Sequence, residues 1–188
     1  MPLHSSKQIA KNSILYTGAL IVQRAFSTLY FWYYSNHLPG GAEDLGRLQF
    51  ILSFTALFFI IADLGLYYVF LRECSHTPER ANQYLNTLLG IKLPLFGMSA
   101  LVVTVAAVFF IKENVALVFL ALLWLMADHL SMIVYALLRS RQLLTFESFA
   151  VVFYQVIVIA IGVTSLHFGG NIMHLIIALL AGSLISLG

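Results

Sequence analysis

Charge is scarce in this chain. Asp, Glu, Lys and Arg make up 10% of its 188 residues, where an ordinary soluble domain carries about 25%. Hydrophobic residues make up 61% and mean hydropathy is +0.92. No solvated surface can be built from that composition, so lipid is the expected solvent. Cysteine is nearly absent too. Cys74 stands alone, which excludes a disulfide framework and any multi-cysteine metal site. No Lys/Arg-rich stripe exists, and a formal net charge of +2 leaves no footprint for nucleic acid. HExxH, P-loop and GxSxG patterns are missing, so no catalytic residue, metal or cofactor is expected and the chain does not read as an enzyme. The apolar run behind Lys7 and Lys11 lacks an A-x-A-like site and is too long for a signal-peptide core. It reads as an uncleaved first span.

What is present is a series of long apolar runs. A spanning helix needs about 20 apolar residues, and six runs qualify, at roughly 13–37, 47–71, 85–111, 115–138, 144–167 and 172–188. Continuous runs of this length argue against a barrel, whose strands are short and alternating. The expected fold is an all-α integral membrane bundle of six helices, one transmembrane lobe over 1–188. The connectors are short. Pro39-Gly40-Gly41 marks the first turn, Thr77-Pro78 reads as an N-cap and first helical residue, and KEN (112–114) is nearly a bare hairpin. Pro94 is expected to kink the third span.

Short-loop cations set the orientation. Lys7, Lys11, Arg72, Arg80, Arg139 and Arg141 fall on one side, Arg47 and Lys112 on the other. The N-terminus is therefore expected in the cytoplasm, with the chain multi-pass in the plasma membrane. Lys92, at the start of an apolar stretch, is expected to snorkel to the cytoplasmic interface. The sixth run stops at Gly188 without a polar flank, as expected of a piece truncated in its sixth span.

Three ionisable side chains lie deep in these runs. Asp63 is nine residues before Arg72, and Asp128 is 11 before Arg139; at ~1.5 Å per residue they sit about 13 and 17 Å from that side. Arg24, 11 residues beyond Ser13, reaches about 17 Å by the same rise. Each costs roughly 2.5–3.5 kcal/mol at a helix centre, tolerable if they face one another or a water-filled cavity. Polar residues recur at helical spacing in four runs: Thr17, Arg24 and Thr28; Gln49, Ser53, Asp63 and Tyr67; Trp124, Asp128, Ser131 and Tyr135; Ser148, Gln155 and Gly162. Four such stripes turned inward line an aqueous path. The alternative is a structural Arg24–Asp63 ion pair that only fixes helix register.

Other polar residues have plainer readings beside functional ones. His129 adjoins Asp128, which suggests proton coupling, yet helix neighbours point about 100° apart. Gln155 is a path-lining candidate or an interhelical hydrogen bonder. Glu43 and Asp44 suit either a membrane glycosyltransferase or polymerase, or a solvated turn and helix start. Gly182 and Ser186 form a small-xxx-small pair.

Three stretches carry a family resemblance. KNSILYTGALIVQRAF, EDLGRLQFILSFTALFFIIADLGLYYVFLRE and ALLRSRQLLTFESFAVVFYQVIVIAIGV resemble the opening helix, the second span and the join of spans four and five of polysaccharide and O-antigen flippases. These belong to the multidrug/oligosaccharidyl-lipid/polysaccharide exporter superfamily. The resemblance implies that the chain is the N-terminal half of a two-lobe exporter. It implies a lipid-linked oligosaccharide as cargo, with a second lobe of the same chain, or a second copy, as partner. It also implies roles: Arg24 for the pyrophosphate, Asp63 to hold Arg24 or a coupling cation, Asp128 to line the cavity or take part in coupling. A cation-coupled drug antiporter of the same superfamily is the nearest alternative. A packing subunit without transport is another.

Overall fold

A computed structural model describes residues 6–111, 114–140 and 143–187. The expectations placed on Lys112, Arg141 and Gly188, and on the side chains of Lys7 and Lys11, lie outside what is described. The described residues form seven α-helices and one short 3₁₀ turn: α1 Ser6–His37, α2 Gly41–Asp63, α3 Leu66–His76, the turn Pro78–Arg80, α4 Ala81–Phe110, α5 Val115–Ser140, α6 Leu144–His167 and α7 Ile172–Leu187. Among the described residues, α4, α5 and α6 are long and apolar enough to cross a membrane by themselves, and α7 is a shorter apolar helix. Helices satisfy their own backbone groups, which is what a chain solvated by lipid requires. The outer surface is correspondingly apolar, with Leu101, Phe109, Phe110 and Phe149 exposed.

The second expected run is not one helix. Leu64 (φ 42°) and Gly65 (φ 75°) are both left-handed and end α2 just after Asp63. Gly65 adopts this conformation freely, whereas Leu64 is the one non-glycine residue with positive φ among those described. Broken helices of this kind are tolerated at membrane depth where they border a cavity.

One smaller expectation is also corrected. Thr77 does not cap α4: its hydroxyl donates to the Glu73 carbonyl (3.2 Å) and bonds the Tyr84 hydroxyl (3.0 Å), closing α3, and Pro78 opens the 3₁₀ turn. Pro94 lies inside α4, which runs unbroken from Ala81 to Phe110.

Packing divides the bundle by depth. At the end holding the α1–α2 turn, Leu48, Ile51, Val103, Ala107, Val118 and Ile176 belong to one large buried cluster. At the end where α1 begins, a smaller cluster of Phe70, Cys74, Ala81, Leu88, Ile133 and Ala136 joins α3, α4 and α5 only. α1 packs chiefly on α6 and much less on α2. The bundle is thus closed at the turn end. Nearer the start of α1, a space lies between α1, the α2–α3 break, and α5 to α7.

Candidate functional site

That space is a cavity of about 550 Å³, within the roughly 300–1,000 Å³ of ligand-sized pockets. Its polar lining falls into three groups.

The first group sits at the helix break. Lys92 Nζ of α4 lies 2.8 Å from Asp63 Oδ1, and His129 Nδ1 of α5 lies 3.8 Å from the same oxygen. The lysine side chain is 1% exposed and the carboxylate 29%. Phe59 stacks on Phe96 and leans on His129, walling the pair on its apolar side. A second cavity, bordered by Phe59, Leu64, Gly65 and Leu125, also reaches Asp63 and His129. Two sequence expectations are corrected here. Lys92 does not snorkel, because a buried ammonium with a carboxylate in reach is held by it. Arg24 is not the partner of Asp63: α1 leans on α6, leaving Arg24 on an exposed face with no ion pair among the described residues.

The second group surrounds Asp128 of α5, which lines the cavity and makes no hydrogen bond or ion pair among the described residues. Ser131 and Ser186 bring their hydroxyls within 3.3 Å of each other across α5 and α7. Tyr135 and Tyr154 lie close enough to Asp128 to feel its charge. Trp124 Nε1 and Ser183 Oγ, both buried, face the Tyr154 hydroxyl.

The third group closes the cavity toward the start of α1. Arg139 Nε lies 2.8 and 2.9 Å from the two carboxylate oxygens of the fully buried Glu147. Its Nη1 donates to the Tyr67 hydroxyl (3.0 Å), its Nη2 donates to the Tyr16 hydroxyl, and the guanidinium faces the Tyr16 ring at 5.0 Å. One arginine thereby ties α1, α3, α5 and α6. Its loop-like position beside a serine and a second arginine suggested a solvated cation. The missed signal was Glu147, a carboxylate in the first turn of an apolar helix, eight residues on.

Of the residues singled out from sequence, the structure brings Asp63, Asp128 and His129 to one cavity, together with Tyr67, Ser131 and Tyr135 of the polar stripes. Gln155 is buried at 5% on α6 and is not part of the lining. Arg24 is not part of it either. Glu43 and Asp44 serve the start of α2: Asp44 accepts the Gly40 N–H (2.9 Å) and Glu43 pairs with Arg47 (3.0 Å). No group of three or more potential metal-ligating side chains occurs among the described residues.

A family model described as polysaccharide biosynthesis protein matches residues 9–187. The chain belongs to that family. No curated protein and no solved structure is similar enough to match it. The stretches that carry the resemblance fall on the cavity of this polysaccharide biosynthesis protein. The Ala62-Asp63-Leu64-Gly65-Leu66 segment of the second stretch is the helix break, and the first half of the third contributes Arg139 and Glu147.

Proposed function

We propose that this chain is one lobe of a transporter that flips polyprenyl-pyrophosphate-linked oligosaccharide between membrane leaflets for surface polysaccharide synthesis, O-antigen among the candidates. The observation that carries the reading is the cavity itself: lined by polar and charged side chains, bordered by a broken helix, and closed by an apolar core at one end and by the Arg139–Glu147 group at the other. In alternating access, such a half-cavity is completed by a second lobe that rocks against it. The second lobe is either a further part of the same protein or a second copy. The glycan crosses in the polar interior while its lipid tail stays in the bilayer.

The exposure of Arg24 supports a partner on that face of α1. A guanidinium about 17 Å into the span is costly against hydrocarbon, and a pyrophosphate or a facing lobe answers it. Exposed Arg72 shares its end of the bundle with the start of α1, which supports an N-terminus in the cytoplasm and a plasma-membrane location. Transport rather than catalysis is favoured because Glu43 and Asp44 are engaged at a helix start. The second reading is a cation-coupled drug antiporter, favoured by Asp63 and His129 bordering two cavities; Asp128 and His129 are then its coupling groups.

The test is reconstitution of the natural protein in liposomes with a fluorescent lipid-linked oligosaccharide. Flipping is read by accessibility to an outside glycosidase. Arg24→Ala is expected to abolish flipping, and complementation of a flippase-null strain, while the protein still inserts. Wild-type protein that expels a cationic dye and leaves the glycolipid unmoved supports the antiporter instead.

A further inference from the structure

We propose that the pocket formed by Asp128, Ser131, Tyr135, Tyr154 and Ser186 is a subsite for one uncharged sugar ring, and that the pyrophosphate is excluded from it. This rests on the flippase reading and adds which part of the cargo this lobe grips.

The charges in the cavity decide the point. Asp63 is answered by Lys92 at 2.8 Å, and Glu147 is answered by Arg139 at 2.8 Å. Four of the five N–H donors of the guanidinium are directed to Glu147, Tyr67 and Tyr16, and its charge is matched by Glu147. The other basic lining side chain, His129, faces Asp63 at 3.8 Å, so no lining cation stands without a carboxylate. Asp128 is the one lining carboxylate without an ion pair among the described residues, so the field in the pocket opposes an anion.

The same groups suit a polyhydroxylated ring. A carboxylate offers about four lone-pair sites to hydroxyl donors, and those of Asp128 are unclaimed. The Tyr135 and Tyr154 hydroxyls can both donate and accept, and the Ser131 and Ser186 hydroxyls, which donate to the Ala127 and Ser183 carbonyls, keep acceptor lone pairs. The tyrosine rings present apolar faces next to their polar tips, matching a sugar's C–H face and its rim of hydroxyls. Phosphate is then met outside this pocket, where Arg24 stands.

The position of Trp124 gives a direct readout. The chain has two tryptophans, so Trp32→Phe leaves Trp124 as sole reporter in the full chain in lipid nanodiscs. The probes are short-chain alkyl glycosides of glucose, galactose, N-acetylglucosamine and rhamnose, and farnesyl pyrophosphate. At least one glycoside is expected to change Trp124 emission saturably, with affinity falling tenfold or more in Asp128→Ala and several-fold in the milder Ser186→Ala. Farnesyl pyrophosphate is expected to leave Trp124 unchanged. Saturable quenching by farnesyl pyrophosphate that Asp128→Ala removes overturns the proposal, as does the absence of any glycoside response. Glycolipid flipping by the same preparation separates the two claims. Flipping without a Trp124 response removes the subsite and leaves the transporter. Loss of both removes both.

Discussion

Lys92 of α4 reaches across to Asp63, the last residue of α2, with Nζ 2.8 Å from Oδ1, the ammonium sealed from the cavity and the carboxylate open to it. The pair therefore fastens the end of α2 to α4 next to the break that starts α3.

Removing one partner strands the other. Breaking a buried ion pair costs about 3–5 kcal/mol, and the 29% exposure of Asp63 points to the lower end for Lys92→Met. Asp63→Asn in the same chain removes the orphaned charge. The double variant is expected to recover most of the lost thermal stability in detergent. A double variant as unstable as the single one means the lysine acts by packing alone.

The break makes opposite predictions for its two residues. A Cβ at Gly65 meets no atom within 4 Å, so Gly65→Ala suffers only from its φ of 75°, at about 1–2 kcal/mol. Leu64 is left-handed and 67% exposed, so Leu64→Gly relieves strain and gives up little packing, with a gain of about 1 kcal/mol. Thermal melts of the two variants should move in opposite directions. Movement in the same direction excludes strain at the break.

Of the six expected spans, those at α4, α5 and α6 were legible because apolar runs of twenty residues have few other uses, and the buried carboxylates because a charge inside such a run stands out. The break was not legible. Apolar spacing continues through Leu64, and a lone glycine in a membrane run usually signals close packing. The partners were not legible either, since pairing depends on which helices meet. With α1 against α6 and α4 against α2, Lys92 and not Arg24 comes to Asp63. Arg139 misled because a cation at a helix end is ordinarily solvated. Only the tertiary fold brings Tyr16, Tyr67 and Glu147 around it.

Arg139 holds α3 through Tyr67, and α3 carries the sole cysteine, Cys74, buried against α4 and α5. Arg139→Ala leaves Glu147 charged and fully buried, at about 3–5 kcal/mol, and loosens that end of α3. Maleimide labelling of Cys74 in the native state should accelerate in Arg139→Ala. Arg139→Lys should be intermediate, because an ammonium cannot reproduce the fork. Equal labelling rates in all three proteins mean that α3 is held by its apolar contacts without the arginine.

α1 and α6 approach each other tightly at Gly162, where an added Cβ lands on the Tyr30 hydroxyl. That hydroxyl is buried and has no hydrogen-bond partner, so it contributes bulk without a bond. Gly162→Ala is expected to destabilise by about 1–3 kcal/mol through overpacking. Tyr30→Phe alone should be neutral or stabilising, since it removes an unsatisfied polar atom. Combined with Gly162→Ala it removes the nearest clashing atom and leaves ring carbon Cζ 2.6 Å from the new methyl, a smaller overlap that a shift of the ring must relieve. The pair should melt above Gly162→Ala alone, a non-additivity readable from a double-mutant cycle. Strictly additive melts place the strain of Gly162→Ala somewhere other than the tyrosine, and then the contact does not set the spacing of α1 on α6.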